Sequence, residues 1–176
     1  MHADEIYQHY LDRLLQESDA WRDYATNTGW TGRSTRALCH AGVAAHPEAD
    51  AVSKGCRDRY GRSEYLNLDV CVVSDTWDPP HFIGELENSP AALAIEYSAW
   101  KLLVVEAEHR VLVGYFGEGE DVPSFDRLRE LVEGVCRANP GKDILLIGAE
   151  RKDAHSNDDV RRMHNRAVVG HRGGTR

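Results

Sequence analysis

From Tyr65 to Ala149 the chain alternates short runs of β-branched and aromatic residues with longer stretches of helical periodicity, and this alternation constrains its fold more than any other feature. Tyr65–Val73 (YLNLDVCVV) is short and rich in strand-favouring residues, and the turn-forming cluster Ser74–Pro80 closes it. His81–Glu87 (HFIGELE) reads as the next strand. Asn88, Ser89 and Pro90 then start a helix, a capping-type side chain followed by proline in the first turn. That helix, running from about Pro90 to Ala107, is apolar nearly all round, as a helix buried against a sheet would be. Arg110–Phe116 reads as a further strand. Phe125–Ala138 carries a helical stripe at Phe125, Leu128, Leu131, Val132 and Val135, and Asp143–Ala149 reads as a last strand. Strands that alternate with helices predict an α/β fold, with a mixed central sheet flanked by helices on both faces.

The N-terminal part reads differently. Ile6, Tyr10, Leu14, Leu15 and Trp21 approximate one amphipathic helix over Asp4–Tyr24. A second helix is expected from Thr31 or Ser34 to Pro47, which cannot continue a helix interior. Residues 48–63 are polar and contain glycine, reading as a connection or a short irregular strand. The expected organisation is thus a single α/β domain over 1–150, with N-terminal helices in 1–47 and a core in 64–150. The remainder, 151–176, holds seven Lys/Arg against three Asp/Glu and reads as a basic, flexible tail, helped by Gly170, Gly173 and Gly174.

Composition narrows the function. Hydrophobic residues at 41% and charged residues at 28% suit a folded domain rather than wholesale disorder. No apolar run approaches the ~20 residues of a membrane-spanning helix, and Asp4 and Glu5 do not suit a signal peptide, so no membrane association and a cytoplasmic location are expected. The four cysteines form no CxxC pair and the nine histidines no HxxxH or HExxH pattern, so both sets read as structural or incidental. A net charge of −8 argues against tight nonspecific binding to nucleic acid, although the basic tail could touch a phosphate backbone. Neither GxGxxG nor GxxxxGK[ST] occurs at Gly114–Gly117, and there is no GxSxG elbow.

Carboxylates stand where strands usually exclude them. Asp69 is the one ionisable residue in LDVCVV, and Glu85 and Glu87 lie two apart on a strand, hence on one face. Like charges side by side on a sheet are costly without a shared cation, and a hard divalent ion would supply one. Lys101, in the middle of the apolar helix, would face these carboxylates, with Tyr97 on the same helical face. The competing reading puts Glu85 and Glu87 on a solvent-facing edge, Asp69 in a capping role, and Lys101 snorkelling to water along its stem.

The stretch from about Tyr65 to Phe116 resembles the PD-(D/E)XK nuclease superfamily, whose core is a helix, a three-stranded meander, a helix and a further strand. The resemblance implies a restriction-endonuclease-like core and places Asp69 and Glu85 at the family's two acidic motif positions. Glu87 stands where the family usually has lysine, and Lys101 matches members that draw this residue from the following helix. Glu64 is a further candidate carboxylate by the same resemblance. The implied chemistry is metal-dependent phosphodiester hydrolysis, with Asp69 and Glu85 holding Mg²⁺ or Mn²⁺. Glu87 would orient the attacking water and Lys101 would offset developing negative charge. The implied partner is nucleic acid, DNA before RNA, with monomer and homodimer both open. The alternative is a catalytically inactive domain of this kind serving as a nucleic-acid or protein interaction module.

Overall fold

The strand-forming runs assemble into one six-stranded sheet whose spatial order follows the chain, β1 to β6. The strands are β1 Asp50–Ser53, β2 Val70–Val73, β3 Phe82–Glu87, β4 His109–Phe116, β5 Asp143–Glu150 and β6 His164–Gly170. The helices are α1 Ala3–Leu14, α2 Trp21–Tyr24, α3 Asn27–Ala45, α4 Ala92–Val104, α5 Phe125–Arg137 and α6 Asn157–Arg162. This computed structural model describes residues 1–16, 20–24, 27–53, 67–75, 78–117, 122–150 and 154–170. Glu64 and the start of the expected strand at Tyr65 lie outside the described residues.

β1, β2 and β3 form an antiparallel meander, β3–β4 and β4–β5 pair in parallel, and β6 returns antiparallel to β5. Parallel neighbours need crossovers, which α4 and α5 supply. Because β3, β4 and β5 advance across the sheet in one direction and crossovers keep one hand, both helices fall on the same face. There Ile83, Leu112 and Leu146 pack against Ile95, Leu102, Leu128 and Val132. The opposite face must find other cover, and α1 and α3 provide it: Tyr10, Leu14, Trp30 and Leu38 pack with Val70, Val72, Phe82 and Leu86. The expected α/β fold, a mixed sheet flanked by helices with an N-terminal helical pair, is the fold observed. Among the described residues no helix is long and apolar enough to cross a membrane.

Two expectations change and one open reading is decided. The single helix expected over Asp4–Tyr24 is two helices: α1 ends with Leu15 as its C-cap, and α2 is tied to α6, Trp21 N donating to Asn157 Oδ1 at 3.1 Å. Residues 50–53 form a short strand, one of the two readings expected for 48–63, held by pairing with β2, and residues 54–63 lie outside the described residues. The expectation of a flexible tail fails for residues 154–170, which supply α6 and β6. β6 pairs with β5 from Asp143↔Gly170 to Ala149↔His164, Val169 is buried, and Tyr7 Oη donates to His164 O at 3.2 Å. Residues 171–176 lie outside the described residues.

Candidate functional site

Period-two alternation along β3 sends Phe82, Gly84 and Leu86 toward α3 and Ile83, Glu85 and Glu87 toward α4. Two residues after Asn67, which adopts a left-handed backbone (φ 57°), Asp69 brings its carboxylate to the start of β2. The ladder there pairs Val70 with Gly84, and beyond it Asp69 Oδ2 accepts the Leu86 N–H at 2.8 Å. The side chain thus stands in for the next ladder bond and brings Asp69 beside Glu85.

Glu85 is 2% exposed, in the middle of the sheet, so it is not on a solvent-facing edge. Its Oε2 accepts from Lys101 Nζ at 2.6 Å, and Nζ also lies 3.5 Å from Asn67 O. The Lys101 side chain is 17% exposed, so it turns inward rather than snorkelling. The Lys101–Glu85 contact spans helix and sheet because the apolar face of α4 presses against β3 and β4, leaving the lysine stem packed beside the sheet.

Burial pushes the Glu85 carboxyl up to about 7. The Lys101 hydrogen bond and charge oppose this, nearby Asp69 adds to it, and the Asp69 amide lowers it slightly without a well-formed hydrogen bond. Glu85 Oε1 is buried and has no hydrogen-bond partner among the described residues. A buried carboxylate oxygen without a donor is costly, and a cation placed against it and Asp69 would remove that cost and the repulsion between the two acids. The donor set, two carboxylates from adjacent strands, is of the hard-oxygen type that suits Mg²⁺ or Mn²⁺.

Glu87 behaves differently from its neighbour. Its Oε1 accepts the Ser89 N–H at 2.7 Å and its Oε2 the Ser98 hydroxyl at 3.0 Å. Both oxygens therefore tie the end of β3 to the entry and first turns of α4. Asn88 Nδ2 donates to Thr31 Oγ1 at 3.2 Å and fastens the same loop to α3. On the outer side of α4, Tyr97 and Trp100 stack with centroids 5.8 Å apart, exposed by 53% and 46%. Lys101 Nζ lies 5.5 Å from the Tyr97 ring centroid, as their shared helical face requires.

Sequence reasoning thus brought together Asp69, Glu85, Glu87 and Lys101, which do lie on one face of the sheet. It missed a grouping at the other end of the same strands, where His46, His81 and Glu108 converge. Each comes from a different segment, so no spacing motif could have signalled them. Compared with protein-family models, with curated proteins and with solved structures, the chain shows no match, and the reading of its site rests on this geometry.

Proposed function

We propose that the chain is a metal-dependent nuclease of the PD-(D/E)XK type, hydrolysing phosphodiester bonds in nucleic acid, DNA before RNA. The observation that carries this reading is the convergence of Asp69 and Glu85 from adjacent strands with Lys101 from α4, leaving Glu85 Oε1 buried and unpartnered. The element order α3–β1–β2–β3–α4–β4 supports it, being a helix, a three-stranded meander, a helix and a further strand.

Asp69 and Glu85 would hold Mg²⁺ or Mn²⁺, which supplies charge neutralisation at the phosphate and a more acidic water. The other steps belong to the chain's own residues. Lys101, already paired with Glu85, presents positive charge where the phosphoryl oxygens gain negative charge as water adds to phosphorus and the bond to the leaving sugar oxygen breaks. Glu87 positions the helix that carries Lys101, through Ser89 and Ser98. The exposed Tyr97–Trp100 pair offers a stacking platform for an unpaired base next to the acidic pair, a contact that tolerates any sequence.

One observation favours the second reading, a domain that binds without cutting: Glu87 is committed to hydrogen bonds where a catalytic lysine usually stands. The two separate in one experiment on the purified chain. Single-stranded DNA, duplex DNA and RNA are incubated with Mg²⁺ or Mn²⁺ and with chelator. The nuclease reading expects metal-dependent cleavage, lost in Asp69→Asn with the fold retained by circular dichroism. Binding without cleavage under every metal condition would support the interaction module, and cleavage unchanged in Asp69→Asn would overturn the assigned site.

A further inference from the structure

Three segments end at one place, at the opposite end of β3 from Asp69. His46 follows the last residue of α3, His81 immediately precedes β3, and Glu108 immediately precedes β4. One ligating atom from each lies within 4.8 Å of the others. Glu108 places Oε1 3.1 Å from His81 Nδ1 and Oε2 3.9 Å from His46 Nε2. The two imidazoles stack, centroids 4.6 Å apart and planes 18° from parallel.

The backbone holds this geometry. Glu108 N and His109 N both donate to His81 O, at 3.0 and 2.9 Å, while His81 N donates to Val72 O at 2.9 Å and His46 N to Gly42 O at 3.1 Å. Two further observations suit a cation at this place. His46 Nε2 is buried and has no hydrogen-bond partner among the described residues, although it faces the Glu108 carboxylate. His81 Nε2 lies 2.8 Å from Ser74 Oγ, the outer hydrogen bond that commonly orients a metal-ligating imidazole and turns its other nitrogen inward. With its proton on Nδ1, His81 donates to Glu108 and accepts from Ser74; with the proton on Nε2, the Nδ1 lone pair and the Glu108 carboxylate become a pair of ligands for a cation. The C-terminal carbonyls of α3 point the negative end of its dipole at the same spot.

We propose that His46 Nε2, His81 Nδ1 and the Glu108 carboxylate form a binding site for a zinc-class divalent ion. Two imidazoles and a carboxylate are the donors of a borderline transition metal, unlike the all-oxygen pair at Asp69 and Glu85. Glu108 is 61% exposed, so the coordination positions not filled by protein open to solvent. The ion would staple the end of α3 to the entries of β3 and β4. His81 stands four residues before Glu85, about 13 Å along the strand, so this site is separate from the acidic one. It does not depend on the nuclease reading.

The test titrates Zn²⁺ alone into the chelator-stripped, full-length chain by calorimetry and follows its thermal unfolding. One Zn²⁺ per chain is expected, at micromolar affinity or tighter, with a raised Tm. His46→Gln and Glu108→Gln should each weaken binding by about 10- to 100-fold or more and abolish the rise in Tm, and Asp69→Asn should leave both intact. Glu108 is exposed and its glutamine variant isosteric, so that variant decides the matter even if His46→Gln fails to fold. A wild-type chain that takes up no Zn²⁺ would overturn the proposal, showing that a proton alone occupies the His81–Glu108 contact. Binding undiminished in Glu108→Gln would overturn it equally, by placing the ion elsewhere.

Discussion

Between Lys101 Nζ and Glu85 Oε2 lie 2.6 Å, and the carboxylate is almost wholly removed from water. Lys101→Met keeps the packed stem but strands that carboxylate. Losing Lys101 also removes two influences that hold the Glu85 carboxyl down, so the variant takes up a proton more readily, and the full cost of about 3–5 kcal/mol for an ionised partner left buried should be reached only at alkaline pH. At acidic pH Glu85 takes a proton and the cost should shrink. Urea unfolding at the two pH values measures this, and adding Glu85→Gln to Lys101→Met should restore most of the loss. A cost that does not change with pH would mean the lysine contributes packing rather than charge. At Asp69 two substitutions separate charge from hydrogen bonding. Asn keeps an acceptor for the Leu86 N–H, so Asp69→Asn should change stability by less than about 1 kcal/mol, whereas Asp69→Ala leaves that N–H unpaired and should cost about 1–3 kcal/mol. Equal losses in the two variants would show that the hydrogen bond is not what holds Asp69 in place.

α4 is gripped at both ends in the sense its dipole favours. The Glu87 carboxylate holds its entry, while Arg110 Nε donates to Leu102 O at 3.0 Å and Lys142 Nζ to Leu103 O at 2.9 Å at its exit. These ties keep Lys101 and Ser98 at fixed heights above β3, so the helix acts as part of the site. On the opposite face α3 approaches the sheet through Gly42. A Cβ there would lie 2.6 Å from Val72 Cγ2 and 2.9 Å from Phe82 Cδ1, both in the packed core. Gly42→Ala should therefore push α3 off β2 and β3 and destabilise by about 1–3 kcal/mol, despite alanine's better helix propensity. Chemical denaturation reads the sign directly. A stabilised variant would mean the helix shifts freely and that its approach to the sheet is not tightly packed.

At the scale of the whole molecule the last strand, β6, closes on the first helix, α1. Arg166 on β6 pairs with Asp4 on α1 at 2.8 Å, and its guanidinium lies 4.6 Å from the centroid of Tyr7. Ending the chain before His164 would strip the edge from β5 and remove Val169 from the core, so loss of the cooperative thermal transition is expected; an unchanged melt would make β6 dispensable. His164 itself, packed against Trp30 and Tyr10, is pushed down by burial to about 4. Below pH 6.5 the unfolded chain takes up a proton that the folded chain refuses until pH falls to about 4. This residue's contribution is therefore constant above that window and is progressively lost within it as the solution is acidified. Urea midpoints across a pH series should fall over that range, and less steeply in His164→Gln.

Local pattern was enough for the α/β alternation, the helix at Phe125–Arg137, and the shared face of Glu85 and Glu87, because propensity and two- or 3.6-residue periodicity are properties of neighbours along the chain. It could not separate α1 from α2, whose break is answered by Asn157 from far along the sequence. Nor could it see β6: HNRAVVG carries polar residues and a glycine and gains its strand partners only from the free edge of β5. The depth of Glu85 and its contact with Lys101 likewise depend on how closely α4 settles on the sheet. His46, His81 and Glu108 are individually unremarkable in sequence and meet only because α3, β3 and β4 bring their ends together. Residue type and spacing along the chain set which local elements form; burial, pairing and the convergence of side chains follow from long-range packing, which no short window of sequence contains.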